Sequence, residues 1–151
     1  MIEIIEYADV YAGDFRQINQ EWLELYNLME DYDMAVLSNP RGTIIDGGGV
    51  IYLARAGEKI IGTAALIREH DGVYELAKMG IIPEWRGKGI SKLLIGQCLG
   101  KAKELGARKI VLFSNDQLKT ALALYERYGF RHIDVTDSPF VTANVKMELV
   151  L

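Results

Sequence analysis

The 151-residue chain is poor in the residues that staple small folds: it has one cysteine, Cys98, two histidines, His70 and His132, and three prolines. A lone thiol closes no intramolecular disulfide, and this set is too small for a Cys/His zinc cluster, so a reducing compartment is the natural setting. No run approaches the ~18 consecutive apolar residues that span a bilayer. Met1-Ile2-Glu3-Ile4 lacks the basic start and apolar stretch of a secretory leader. The expectation is a cytoplasmic protein with no membrane partner. Basic charge is also scarce, with 17 Lys+Arg against 21 Asp+Glu and a formal net charge of −4. That sign argues against coating nucleic acid or anionic lipid, so any anion site has to be local.

What is present is an ordinary globular composition, 50% hydrophobic and 25% charged. A chain near ~150 residues buries about 68–70% of its unfolded surface, enough for a core without disulfides or a structural metal. No repeat or low-complexity linker interrupts it, so residues 1–151 read as one domain. Ile2 to Tyr7 suits a short strand. Phe15, Ile18, Trp22, Leu25, Tyr26 and Met29 recur at helical spacing with Asp14 available as N-cap, and a second helix after Glu30-Asp31-Tyr32-Asp33 should stop near Ser38, before Asn39-Pro40-Arg41-Gly42. Val50 to Arg55 and Lys59 to Ile67 read as a hairpin, followed by a strand from Val73 to Ile82. Ile90, Leu93, Leu94, Cys98, Ala102 and Leu105 form a helical stripe ended by Gly106. A strand over Ile110 to Phe113, a helix from Leu118 to Tyr128 and strands over Phe130 to Val135 and Val145 to Leu149 complete an α+β pattern.

The most informative stretch is Ile81-Ile82-Pro83-Glu84-Trp85-Arg86-Gly87-Lys88-Gly89-Ile90-Ser91, a strand passing through a glycine loop into a helix. Helix N-termini leave backbone N–H groups unpaired, and glycines let a phosphate approach them. Arg86, Lys88 and Lys92 crowd that helix start, where the macrodipole disfavours each cation by ~0.3–1 kcal/mol, an arrangement that a bound phosphate would reverse. The plainer alternative is a solvated basic corner on a tight turn. Neither familiar nucleotide loop fits: Gly87-Lys88 is followed by Gly89 rather than Ser or Thr, and Lys92 stands where a dinucleotide fingerprint needs its third glycine.

The loop resembles the acetyl-CoA motif of the GNAT superfamily of N-acetyltransferases, Gln/Arg-x-x-Gly-x-Gly/Ala, here Glu84-Trp85-Arg86-Gly87-Lys88-Gly89 with Glu84 departing from the first position. The resemblance resumes at Ala121-Leu122-Ala123-Leu124-Tyr125-Glu126-Arg127-Tyr128-Gly129-Phe130, similar to the family's Ala-x-x-Leu-Tyr-x-x-x-Gly-Phe signature. It implies a mixed, mostly antiparallel sheet of about six or seven strands with a splayed strand pair, flanked by about four helices. It also implies that acetyl-CoA is the cosubstrate, with no metal. Amides from Arg86, Gly87, Lys88, Gly89, Ile90 and Ser91 would hold the pyrophosphate, and Met79, Gly80, Ile81 and Ile82 would offer backbone groups to pantetheine. Tyr125 would protonate the departing thiolate. Asn115 would contact pantetheine, because Leu118 stands where a common family variant has asparagine.

An amine nucleophile has to lose a proton before it attacks a thioester, and Glu75 is the leading base, placed by period-two counting on one face with Ala77, Met79 and Ile81. Each role has a structural alternative: Tyr125 as an amphipathic core residue, Glu75 as an exposed strand glutamate, Asp116 rather than Asn115 opening the next helix. Tyr128 and Cys98 read as packing, and His70 and His132 as turn and strand-surface residues. Trp22, Tyr26 and Tyr32 either line an acceptor pocket or fill the core, while the acidic cluster at 30–33 either attracts a cationic amine or caps a helix. The leading reading is direct acetyl transfer in a ternary complex to a small-molecule or peptide amine. The competing one is a non-catalytic acyl-CoA-binding sensor, and a ligand-free partner-binding domain is the third. A homodimer through the last strands stays open.

Overall fold

The computed structural model describes residues 1–151. In chain order the elements are β1 (Ile2–Glu6), α1 (Ala12–Leu25), α2 (Asp31–Ser38), β2 (Val50–Ala56), β3 (Lys59–His70), β4 (Val73–Ile81), α3 (Ile90–Glu104), β5 (Lys109–Ser114), α4 (Lys119–Arg127), β6 (Arg131–Ile133) and β7 (Val145–Val150). The strands form one seven-stranded sheet in the order β1-β2-β3-β4-β5-β7-β6, antiparallel except for the pair β4/β5. Fold class, strand number and helix content agree with the expectation. No helix is long and apolar enough to cross a membrane.

Helices cover both faces, which is why β2 is apolar without alternation from Val50 to Ala54. Val50, Tyr52 and Ala54 pack with Leu94, Ile95 and Cys98 of α3, whereas Ile51 and Leu53 pack with Phe15, Leu37 and Val36 of α1 and α2. Local differences have local causes. A 3-10 turn over Asp9–Tyr11 runs straight into α1, so the helix starts at Ala12 without a side-chain cap and Asp14 lies in its first turn. Beyond Pro40 the chain makes a π turn over Arg41–Ile45 instead of an open loop.

The feature that matters for function is where β4 leaves its neighbour. Its parallel pairing with β5 is confined to Val73–Glu75 against Lys109–Val111. Beyond that point β5 stays with β7 to its end, while β4 follows β3 through a bulge where the register shifts between Thr63 and Ala65. Bulges sharpen twist and bend a strand, so the two strands diverge into a wedge whose apex is at Glu75 and Val111.

The bulge centres on Lys78, which has a left-handed φ of 51°. It corrects the period-two count. Tyr74 and Leu76 share the α3 face with Ile81 beyond the bulge, Met79 packs against the same core, and a Cβ on Gly80 would strike Trp22 of α1 on the other face. Glu75 is therefore opposite Met79 and Ile81, not beside them.

Candidate active site

The wedge opens into a cavity of about 1050 Å³ bounded by α1, β4, α3, β5 and α4. One end is built from backbone. Gly87 and Gly89 have φ of 76° and 79°, a region that costs any residue with a Cβ. A Cβ at either position would meet nothing within 4 Å, so conformation rather than space demands glycine. Gly89 is the N-cap of α3 and supplies no capping side chain. The amides of residues 87–89 have no backbone acceptor, and those of the first helical turn lack one by geometry. Free N–H groups and the positive end of a helix dipole converge there, the arrangement that holds a diphosphate. Gly87, Gly89, Ile90 and Ser91 line this end, and Met79, Gly80 and Ile81 line the adjoining wall.

Four of the expected positions carry other interactions or lie apart from the cavity lining. Arg86 Nη2 is 2.5 Å from Glu21 Oε1 and its Nε donates to the Ile81 carbonyl at 2.9 Å, so the guanidinium ties α1 to the end of β4. Lys88 is exposed and stands outside the cavity lining. Ile82 is outside it too, with its N–H donated to Ile61 at 2.9 Å as the sheet ladder continues. Asn115 lines the cavity, but its side chain is engaged: Nδ2 donates to Thr142 O at 2.9 Å and Oδ1 accepts from the Gln117 amide at 3.0 Å.

Tyr125 lines the cavity from α4, with its ring edge-on to Phe130 at 5.9 Å. Burial, with a smaller contribution from Cys98, pushes its phenol up to about 12, so it stays protonated at neutral pH. Tyr128 donates to the Lys92 carbonyl at 3.3 Å and ties α4 to α3. Cys98 is fully buried and its thiol is pushed up to about 12 by burial. His132 lies on the surface beside Glu126 at 3.0 Å.

The other end is built from side chains. Glu75 is 2% exposed, which overturns its reading as a surface residue: β4 is an inner strand and α1 and α2 cover that face. Its Oε1 has no hydrogen-bond partner. Burial first, then the neighbouring carboxyl of Glu69, raises its carboxyl well above the ordinary carboxylate range.

The bulge turns Lys78 toward α2, where Nζ lies 2.5 Å from Asp33 Oδ1 and 5.1 Å from the centre of the Phe140 ring. Asp33 Oδ2 accepts the Glu30 amide at 2.9 Å. A polar thread fixes the bulge: Asn19 Nδ2 donates to Thr63 Oγ1 at 2.9 Å, and Thr63 Oγ1 donates to the Lys78 carbonyl at 2.8 Å. Glu30 accepts from the amides of Val141 and Thr142 and from Thr142 Oγ1, clasping the loop that carries Phe140. Burial opposes the charge on Glu30, but those bonds outweigh it and hold its carboxyl below the usual range.

The acidic cluster therefore caps α2, with Asp33 accepting the Glu30 amide at its start, and it is not a free anionic patch, because Asp33 and Glu30 are also engaged by Lys78 and by the Phe140 loop. Trp22 and Tyr26 line the cavity; Tyr32 does not, and instead meets Phe140 edge-on at 5.2 Å. Sequence reasoning missed Lys78 and Phe140, and named Asp33 only as part of the acidic cluster. The one available signal was a lysine inside the otherwise apolar run Leu76 to Ile82.

Similarity to known proteins agrees with this geometry. The family model described as acetyltransferase (GNAT) family matches residues 11–130. The uncharacterized N-acetyltransferase YjgM of Escherichia coli K12 is 36% identical over 93 residues, 62% of this chain and 48% of that protein, so the chain spans about half the length of this curated relative. A crystal structure of a GNAT-family acetyltransferase from Staphylococcus aureus Mu50 superposes with a TM-score of 0.90 at 26% identity, covering 98% of each chain. The PaiA N-acetyltransferase of Thermoplasma acidophilum, solved with coenzyme A, shares the fold at a TM-score of 0.78 and 19% identity, covering 100% of this chain and 99% of that one. With the family model spanning both the glycine loop and the tyrosine helix, the chain belongs to the acetyltransferase (GNAT) family.

Proposed function

We propose that the protein is an acetyl-CoA-dependent N-acetyltransferase that passes acetyl directly to a primary amine in a ternary complex. The observation that carries this reading is one wedge between β4 and β5 with unpaired helix amides at one end and an unpartnered buried carboxyl, Glu75, at the other. The amides from Gly87 to Ser91 would hold the diphosphate, and the β4 edge at Met79 to Ile81 would take pantetheine as an added strand. Acetyl-CoA supplies an activated acyl thioester: as the amine forms the C–N bond, the C–S bond breaks and the thiolate departs.

Glu75 handles the proton. An alkylammonium loses its proton near pH ~10 in water, so attack at neutral pH needs an acceptor in reach. The free Oε1 of Glu75 receives the proton from nitrogen, and its raised carboxyl makes it a stronger base than an exposed glutamate. Tyr125 acts at the sulfur. A phenol at about 12 is a weaker acid than a thiol at ~8.5, so Tyr125 stabilises the thiolate by hydrogen bonding, and the sulfur takes its proton from solvent on release. A non-catalytic acyl-CoA sensor, the competing reading, has no use for a buried carboxyl without a partner.

Calorimetric titration with acetyl-CoA and desulfo-CoA tests the base of this reading. Micromolar binding that falls ~10-fold or more in Gly87→Glu is expected, because that variant strains a left-handed position and places an anion among the amides. No binding heat with the unaltered protein would remove the reading.

A further inference from the structure

We propose that the acceptor is an α-amino acid with an apolar side chain, its nitrogen on Glu75 Oε1 and its carboxylate on the spare N–H donors of Lys78 Nζ. This deepens the amine-acetylation reading and rests on it.

The observations are two buried polar groups of opposite sign that line one cavity and are both under-satisfied. Glu75 Oε1 has no partner at 2% exposure. A lysine head carries three donors, and Lys78 Nζ makes one hydrogen bond, to Asp33, while its side chain is 4% exposed. The Phe140 ring face takes a second side of the group at 5.1 Å, so the cavity is the side from which a further acceptor can come. Buried donors and acceptors left open in this way cost stability and point to an absent ligand.

The backbone strengthens the case. Residues 75 and 78 are an odd number of positions apart and would face opposite sides of a regular strand. The bulge, with its left-handed φ of 51° at a non-glycine residue, puts Lys78 on the α2 side with Glu75. Strain of that kind is commonly held at functional sites, and here the Thr63 and Asn19 side chains hold the strained segment in place.

Charge selects among amines. A polyamine would bring a second cation beside Lys78, where Asp33 and Glu30 are already engaged by Lys78 and by the Phe140 loop, and Glu69, the acid next to Glu75, lies outside the cavity lining. An amino acid balances instead: its carboxylate meets Lys78, its amine meets Glu75, and no net charge is added. Trp22, Phe113 and Phe140 line the remaining wall, which favours an apolar side chain.

The test uses matched triads with acetyl-CoA and thiol release as readout: phenylalanine, phenylalaninamide and 2-phenylethylamine, then leucine, leucinamide and 3-methylbutylamine. Each amino acid should exceed its carboxamide and its decarboxylated amine by ~10–100-fold in kcat/KM, the scale of a buried hydrogen bond to a charged group. In the double variant Lys78→Met/Asp33→Asn, which removes both members of the buried ion pair together, that preference should collapse to within about twofold while acetyl-CoA binding heat and the melting temperature persist. The proposal is overturned by amides or simple amines that serve as well as the amino acids, by a preference unchanged in the double variant, or by no turnover of any amino acid with acetyl-CoA bound. Absence of acetyl-CoA binding would instead bring down the acetyltransferase reading itself.

Discussion

The two ends of the wedge are made by different physics. At the coenzyme end the working groups are backbone amides of one loop, fixed by glycine conformation and a helix start. At the acceptor end they are side chains drawn from α2, β4 and the loop before β7, fixed by burial and by each other. A backbone site needs only a local pattern, so it tolerates the Arg86 side chain being tied to Glu21 and the Lys88 side chain standing outside the cavity lining. A side-chain site depends on every member, because removing one leaves another buried without a partner.

Single substitutions should separate the two ends. Lys78→Met strands the Asp33 carboxylate at 1% exposure, and a thermal melt should show a loss of ~3–5 kcal/mol, larger than any change in the loop. Tyr125→Phe keeps the ring against Phe130 but removes the donor at the sulfur; kcat should fall ~10-fold or more with acetyl-CoA affinity retained. The smallest effect belongs to Arg86→Ala. Its pair with Glu21 is more than a third exposed, and screening limits such pairs to ~0–1 kcal/mol, so acetyl-CoA affinity should change by less than about fivefold. A large loss of affinity in Arg86→Ala would mean that side-chain charge, not backbone, dominates the coenzyme end.

The same contrast explains what was legible in the sequence. The strand, loop and helix around Gly87 and Gly89 are contiguous, so spacing alone exposes them, as periodicity exposes α3 and β2. Tyr125 stands in an equally local pattern. The contacts that overrode expectation are long-range: Arg86 meets Glu21 across 65 positions, and Lys78 meets Asp33 across 45. Period-two counting put Glu75 beside Met79 because a bulge leaves no mark in composition; it is stabilised by Thr63 and Asn19 on other elements. Burial of Glu75 likewise depends on β4 lying between β3 and β5, a property of sheet order rather than of its own segment.

The most direct test of the account is Glu75→Gln, followed by calorimetry with acetyl-CoA and by a pH profile of kcat/KM against an accepted amine. Burial and Glu69 raise the Glu75 carboxyl, and a base works only when deprotonated, so activity of the unaltered protein should rise with pH through a value above the ordinary carboxylate range. The variant should bind acetyl-CoA normally, lose turnover by ~10²–10⁴-fold and lose that rising limb. Unchanged turnover with the limb intact would contradict the assignment of Glu75 as the base and, with it, the division of the wedge into a backbone end and a side-chain end.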